Sequence, residues 1–154
     1  MHSTVTVAPA DLRDAEVLRL VDELTAELAG SGYSDDEMFG YTAEQLERGG
    51  VHLLGAGVDG RVVGIGGVEL QDGGTAELKR FYVRPEHRGA GVADALMAPL
   101  VEHARRHDAR VLRLETGDRQ HAALSFYRRH GFVEVPRFPP YTDSEASICM
   151  ERAL

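Results

Sequence analysis

The chain has 154 residues, 43% of them hydrophobic, which suits one globular domain spanning 1–154 with a core of its own. No apolar run approaches membrane-spanning length, and a net charge of −8 speaks against non-specific nucleic-acid binding, so neither membrane nor nucleic acid is expected as a partner. The single cysteine, Cys149, excludes an internal disulfide framework and a multi-cysteine zinc site.

That charge is unevenly spread. Residues 1–77 hold 4 Lys/Arg against 15 Asp/Glu and residues 78–154 hold 13 against 10, a balance of −11 against +3. A basic half suits an anionic ligand; an acidic half suits a cationic partner or simply solubility. The opening residues, MHSTVTVAPA, lack the charged-then-apolar order of a secretory signal, so a cytoplasmic location is expected.

Residues 4–8 alternate as a first strand closed by Pro9, and Asp11 or Asp14 caps a helix whose Val17, Val21, Leu24 and Leu28 recur at helical spacing up to Gly30. Residues 31–41 are acidic, turn-forming and carry aromatic residues expected at the surface. Thr42 and Gln45 form the capping box of a short second helix that Gly49-Gly50 ends. Two strands follow, joined by Asp59-Gly60 as a hairpin turn. The G-x-G-x-x-G at 55–60 leads into a strand rather than a helix, so it is not read as a dinucleotide fingerprint. Gly64, Gly66 and Gly67 mark places of close packing.

Residues 75–104 organise the rest. A strand carrying Leu78, Phe81, Tyr82 and Val83 stops at Arg84-Pro85, and Arg88-Gly89-Ala90-Gly91-Val92-Ala93 opens a helix with Val92, Leu96, Leu100 and Ala104 on one face. The first N–H groups of a helix have no intrahelical partner and lie at the positive end of its dipole. Glycines let an anion reach them, so this turn is a candidate phosphate cradle, with a plain strand-to-helix connection as the alternative. Pro99 is expected to kink or shorten the helix. Residues 110–116 form a fifth strand, Asp118 caps a helix ended by Gly131, residues 132–135 form a sixth strand, and 146–154 form the last after a loop at 137–143.

Arg88, Gly91 and Ala93 fill the fixed positions of a turn that resembles the acetyl-CoA pyrophosphate signature of the GCN5-related N-acetyltransferases (GNAT). Gln120 through Tyr127, with Gly131-Phe132, resembles that family's second motif, with Gln120 where the family usually has Asn. The resemblance covers the C-terminal half of the chain. It implies an α+β fold, a mixed and mostly antiparallel central sheet flanked by helices, in the order β-α-α-β-β-β-α-β-α-β-β. It implies acetyl-CoA as cosubstrate, held by the backbone at Phe81, Tyr82 and Val83, by the turn Arg88, Gly89, Ala90, Gly91, Val92 and Ala93, and by Gln120 and Tyr127. The fourth and fifth strands are expected to part between residues 81–83 and 114–116.

Tyr127 matches the tyrosine that protonates the departing thiolate, a role suited to a phenol whose reference pKa of about 10 exceeds that of a thiol; the alternative is a core tyrosine. Glu77 resembles a glutamate base, although Lys79 shares its strand face and would weaken it, with Glu69 and Glu115 behind it. His103 and His107 have metal-capable i, i+4 spacing, but an exposed polar face is favoured and no metal is expected. Cys149 reads as a small core residue.

The expected reaction is acetyl transfer from acetyl-CoA to a primary amine, on a small molecule or a peptide, by direct attack; the alternative is a noncatalytic acetyl-CoA-binding regulatory module. Residues 33–41 and 137–143 are expected to wall the acceptor pocket, and a homodimer is possible.

Overall fold

The computed structural model describes residues 4–154. Its elements are β1 (Val5–Pro9), α1 (Ala15–Gly30), α2 (Ala43–Arg48), β2 (His52–Val58), β3 (Arg61–Gln71), β4 (Thr75–Val83), α3 (Val92–Arg106), β5 (Val111–Gly117), α4 (His121–Arg129), β6 (Val133–Val135) and β7 (Ser147–Ala153). This is the expected order. All seven strands join one sheet, β1-β2-β3-β4-β5-β7-β6, antiparallel at every step except β4 to β5.

Alternation along β3 decides what each face carries. Gly64 and Gly66 face α3, whose Val92, Leu96, Leu100 and Ala104 are buried against the sheet. Ile65, between them, joins Val17, Leu20 and Val21 of α1 in a second cluster with Leu46, Leu53 and Tyr82. Gly66 is small by necessity: a Cβ there would sit 2.8 Å from the Phe81 ring.

Two irregularities in β4 open the sheet. Ile65 pairs with Tyr82 but Gly67 pairs with Lys79, so Arg80 and Phe81 together oppose Gly66 in a β-bulge, with Arg80 at φ +52°. The parallel ladder to β5 lasts only three pairs, ending at Glu77 with Arg113. Beyond it β4 bends away while β5 continues along β7 to Gly117. The two strands therefore part where expected.

Some boundaries differ from expectation. Asp14, not Asp11, caps α1, accepting from the Glu16 N–H at 2.9 Å. Asp118 is not the cap of α4; Gln120 stands there without a side-chain cap, and Asp118 instead accepts from the Tyr33 hydroxyl at 3.4 Å. Pro99 lies inside α3 without shortening its 15 residues. Tyr33 is buried rather than exposed. Among the described residues, no helix is long and apolar enough to cross a membrane.

Candidate active site

The parting of β4 and β5 leaves two adjoining spaces. One is a groove of about 430 Å³ running past the β4 end, the glycine turn and α4. Of the residues expected to hold the cofactor, Phe81, Tyr82, Val83, Arg88, Gly89, Gly91, Ala93, Gln120 and Tyr127 line it. Ala90 and Val92 do not, and the Val92 side chain is buried against the sheet. Gly91 is the N-terminal residue before α3 at φ +85°, and the space where its Cβ would project is empty. The first-turn N–H groups of α3 lack partners within the helix and have no side-chain cap, so a phosphate fits this turn on chemistry as well as shape.

Arg88 is not free. Its Nε donates to the Val83 carbonyl at 2.9 Å and its Nη2 to Glu27 at 2.7 Å, which holds the guanidinium across the groove from α1. The Gln120 amide donates to Ser31 Oγ at 3.4 Å, tying α4 to the end of α1. Neither Glu27 nor Ser31 carries a signal in the sequence that would single it out.

The other space is a cavity of about 110 Å³ between β4, β5 and the loop after α1. Tyr33 and residues 37–41 wall one side, as expected. From 137–143 only Tyr141 reaches it. Glu77 is 2% exposed, and both its oxygens are occupied: Lys79 Nζ lies 2.9 Å and the Tyr141 hydroxyl 2.6 Å from Oε2, and Gln71 donates to Oε1 at 2.9 Å. Lys79 also lies 4.3 Å from the centre of the Tyr41 ring, and the Tyr41 hydroxyl donates to Glu69 at 2.9 Å. Burial, then the Glu77 charge, pushes the Tyr141 phenol well above its ordinary value.

Glu115 faces the same cavity. Its Oε2 accepts from Ser147 at 2.6 Å, while Oε1 has no partner among the described residues. Burial raises its pKa, and the neighbouring Glu77 adds to the rise.

Tyr127 lines both spaces. Its ring is packed by Phe81, Phe126 and Phe132, and its hydroxyl makes no hydrogen bond among the described residues. Burial, with Glu115 nearby, holds the phenol well above its usual range, so it stays protonated. A groove bordered by a glycine turn and a polar cavity that meet at one phenol suit transfer of a group between two substrates.

Of the two histidines expected on an exposed face, His107 is exposed and His103 half-buried; the His103 ring stacks nearly parallel on His52 at 3.8 Å, with His107 next to it. Among the described residues no group of three or more His, Cys, Asp or Glu side chains could hold a metal. Cys149 is buried, and burial raises its thiol pKa.

Known proteins share sequence and fold with this chain. The acetyltransferase (GNAT) family matches residues 18–132. The IAA acetyltransferase of Azospirillum brasilense is 33% identical over 152 residues, covering 97% of this chain and 98% of that protein. A crystal structure from Klebsiella pneumoniae subsp. pneumoniae, provisionally assigned as an acyl-CoA N-acyltransferase, is 33% identical with a TM-score of 0.81 over 98% of both chains. The PaiA N-acetyltransferase of Thermoplasma acidophilum, solved with coenzyme A, shares the fold at 18% identity, with a TM-score of 0.79 over 98% of this chain and 99% of that one. The chain belongs to the GNAT acetyltransferase family and is an acetyl-CoA-dependent N-acetyltransferase.

Proposed function

We propose that the protein transfers the acetyl group of acetyl-CoA to a primary amine held in the cavity, by direct attack and without a covalent enzyme intermediate. The carrying observation is that, among the described titratable residues, Tyr127 alone borders both the groove and the cavity. Acetyl-CoA supplies the activated thioester. The first-turn N–H groups of α3, with Arg88, Gly89 and Gly91, would take its phosphates, and the unpaired β4 edge at 81–83 would hold its arm and polarise the acyl oxygen.

Acetyl transfer also needs a proton acceptor and a proton donor. Glu77 was the leading candidate base from sequence, but three donors already bind its two oxygens. We assign that role to Glu115, whose Oε1 has no partner among the described residues and whose raised pKa makes it the stronger base. Glu115 takes one proton from the ammonium group, and the freed nitrogen forms its bond to the acyl carbon as the carbon–sulfur bond breaks. Tyr127 gives its proton to the departing sulfur and recovers one from the new amide nitrogen; the proton on Glu115 leaves to solvent.

The test is thiol release from acetyl-CoA across a panel of amines, with the product identified by mass. Tyr127→Phe keeps the ring and its packing but deletes the donor, so kcat should fall about 10²- to 10⁴-fold with acetyl-CoA affinity nearly unchanged. A Tyr127→Phe enzyme with normal kcat would refute the assignment.

A further inference from the structure

Arg80 is buried at the bulge of β4, and the acetyl-transfer scheme gives it no part. Its Nη2 donates to the Val21 carbonyl of α1 at 2.7 Å and to the Thr25 hydroxyl. Its Nε is buried with no hydrogen-bond partner, and Nη1 makes no hydrogen bond among the described residues. No carboxylate lies within ion-pair distance of it among those residues. Burial lowers its pKa to about 10, with the charge of Asp22 acting the other way.

Arg80 lines the cavity and also a neighbouring cleft that carries Asp22, Thr25, Asp35 and Thr42. The backbone at Gly40 passes so close that a Cβ would collide with Nη1. Lys79, the other cation of the cavity wall, is already matched by Glu77. A buried guanidinium with open donors and no counter-ion is costly to keep unless something anionic meets it. With Nη2 committed to α1 and Nε buried, Nη1 is the donor left to meet a carboxylate oxygen.

We propose that Arg80 anchors an acidic group of the acceptor, so that the acceptor is a small amine that also carries a carboxylate, in chemical class an amino acid. This rests on the acetyl-transfer reading for its amine end: the carboxylate meets Arg80 while the amine faces Glu115 and Tyr127 across the same cavity. The acidic rim acts on the other end: Asp22 and Asp35 are exposed and Glu37 half-buried, and they attract the ammonium group while opposing the carboxylate, so any preference for the carboxylate member has to come from Arg80.

The experiment compares matched acceptors: alanine with ethylamine, leucine with isopentylamine, phenylalanine with phenethylamine. The wild-type protein should favour at least one carboxylate member by tenfold or more in kcat/KM. Arg80→Gln should cut that rate by tenfold or more while the amine partner changes less than twofold, and Arg80→Lys should fall between. Gly40→Ala, which displaces the guanidinium without removing it, should shift preference the same way and serves if Arg80→Gln does not fold. Wild-type preference for the plain amines, or an equal loss on both members, would leave Arg80 as a strut between β4 and α1 and overturn the proposal. If no amine is acetylated, calorimetry on the CoA-loaded protein with the same pairs decides. Selective binding of the carboxylate member keeps the anchor while the acetyl-transfer scheme falls; no selective binding sinks the anchor.

Discussion

Lys79→Met should be one of the more damaging single substitutions in the chain. The Lys79 and Glu77 side chains are only 9% and 3% exposed, with Nζ 2.9 Å from Oε2. Breaking a buried pair by removing one partner costs about 3–5 kcal/mol, because the remaining charge is left desolvated. Here Glu77 keeps two donors, the Tyr141 hydroxyl at 2.6 Å and the Gln71 amide at 2.9 Å. Those charge-assisted bonds solvate the remaining carboxylate in part, so the loss should lie on the lower side of that range, roughly 2–4 kcal/mol. For a chain of this length each kcal/mol moves Tm by about 2–4 °C, giving a fall of roughly 4–16 °C. Adding Glu77→Gln removes the stranded charge but keeps an acceptor for Tyr141, so the double variant should recover to within about 1 kcal/mol of the original. Urea unfolding followed by circular dichroism, extrapolated linearly to water, measures all three differences. A Lys79→Met variant within about 0.5 kcal/mol of the wild-type protein, or a double variant no better than the single, would show that this pair is not the buried ion pair described.

Gly91→Val should weaken acetyl-CoA binding at least tenfold, ~1.4 kcal/mol, by placing a branched side chain in the turn. It should also lower stability, since a β-branched residue at φ +85° is strained; unchanged affinity in a folded variant, read by titration, would count against the phosphate cradle. Glu115→Gln should remove the acid limb of kcat/KM against pH, a limb that lies above the ordinary carboxylate range because the pKa is raised. The linkage runs the same way: a raised folded-state pKa costs stability as pH climbs through it, so the variant should gain stability relative to wild type above that limb, and thermal melts across pH read it.

The two halves of the site were not equally legible. The cofactor side is made of consecutive residues, a turn and the first turn of a helix, whose function lies in backbone N–H groups and missing Cβ atoms, and glycine spacing reports both. Arg88 was legible as a cation but not as one already tied to Glu27, since 61 residues separate the pair in sequence. The succession of elements along the chain and most boundaries followed from alternation and from glycine and proline positions, whereas Asp118 looked like a helix cap only because its tie to Tyr33 spans 85 residues.

The acceptor side resists sequence reading for a physical reason that β4 itself displays. Ala76 and Leu78 face the core, and alternation would place Arg80 there next; the core instead receives Phe81 and Val83. That slip of phase is the bulge, written in the sequence as a charged residue where an apolar one was due. It turns Phe81 toward Tyr127, frees β4 from β5 just past Glu77, and sends the Arg80 guanidinium to α1 and the cavity edge. One irregular residue therefore opens the groove and stocks the cavity with its one cation lacking an ion pair among the described residues. On the anchor proposed above, acceptor selectivity rests on this local break in the strand, which alternation alone does not place.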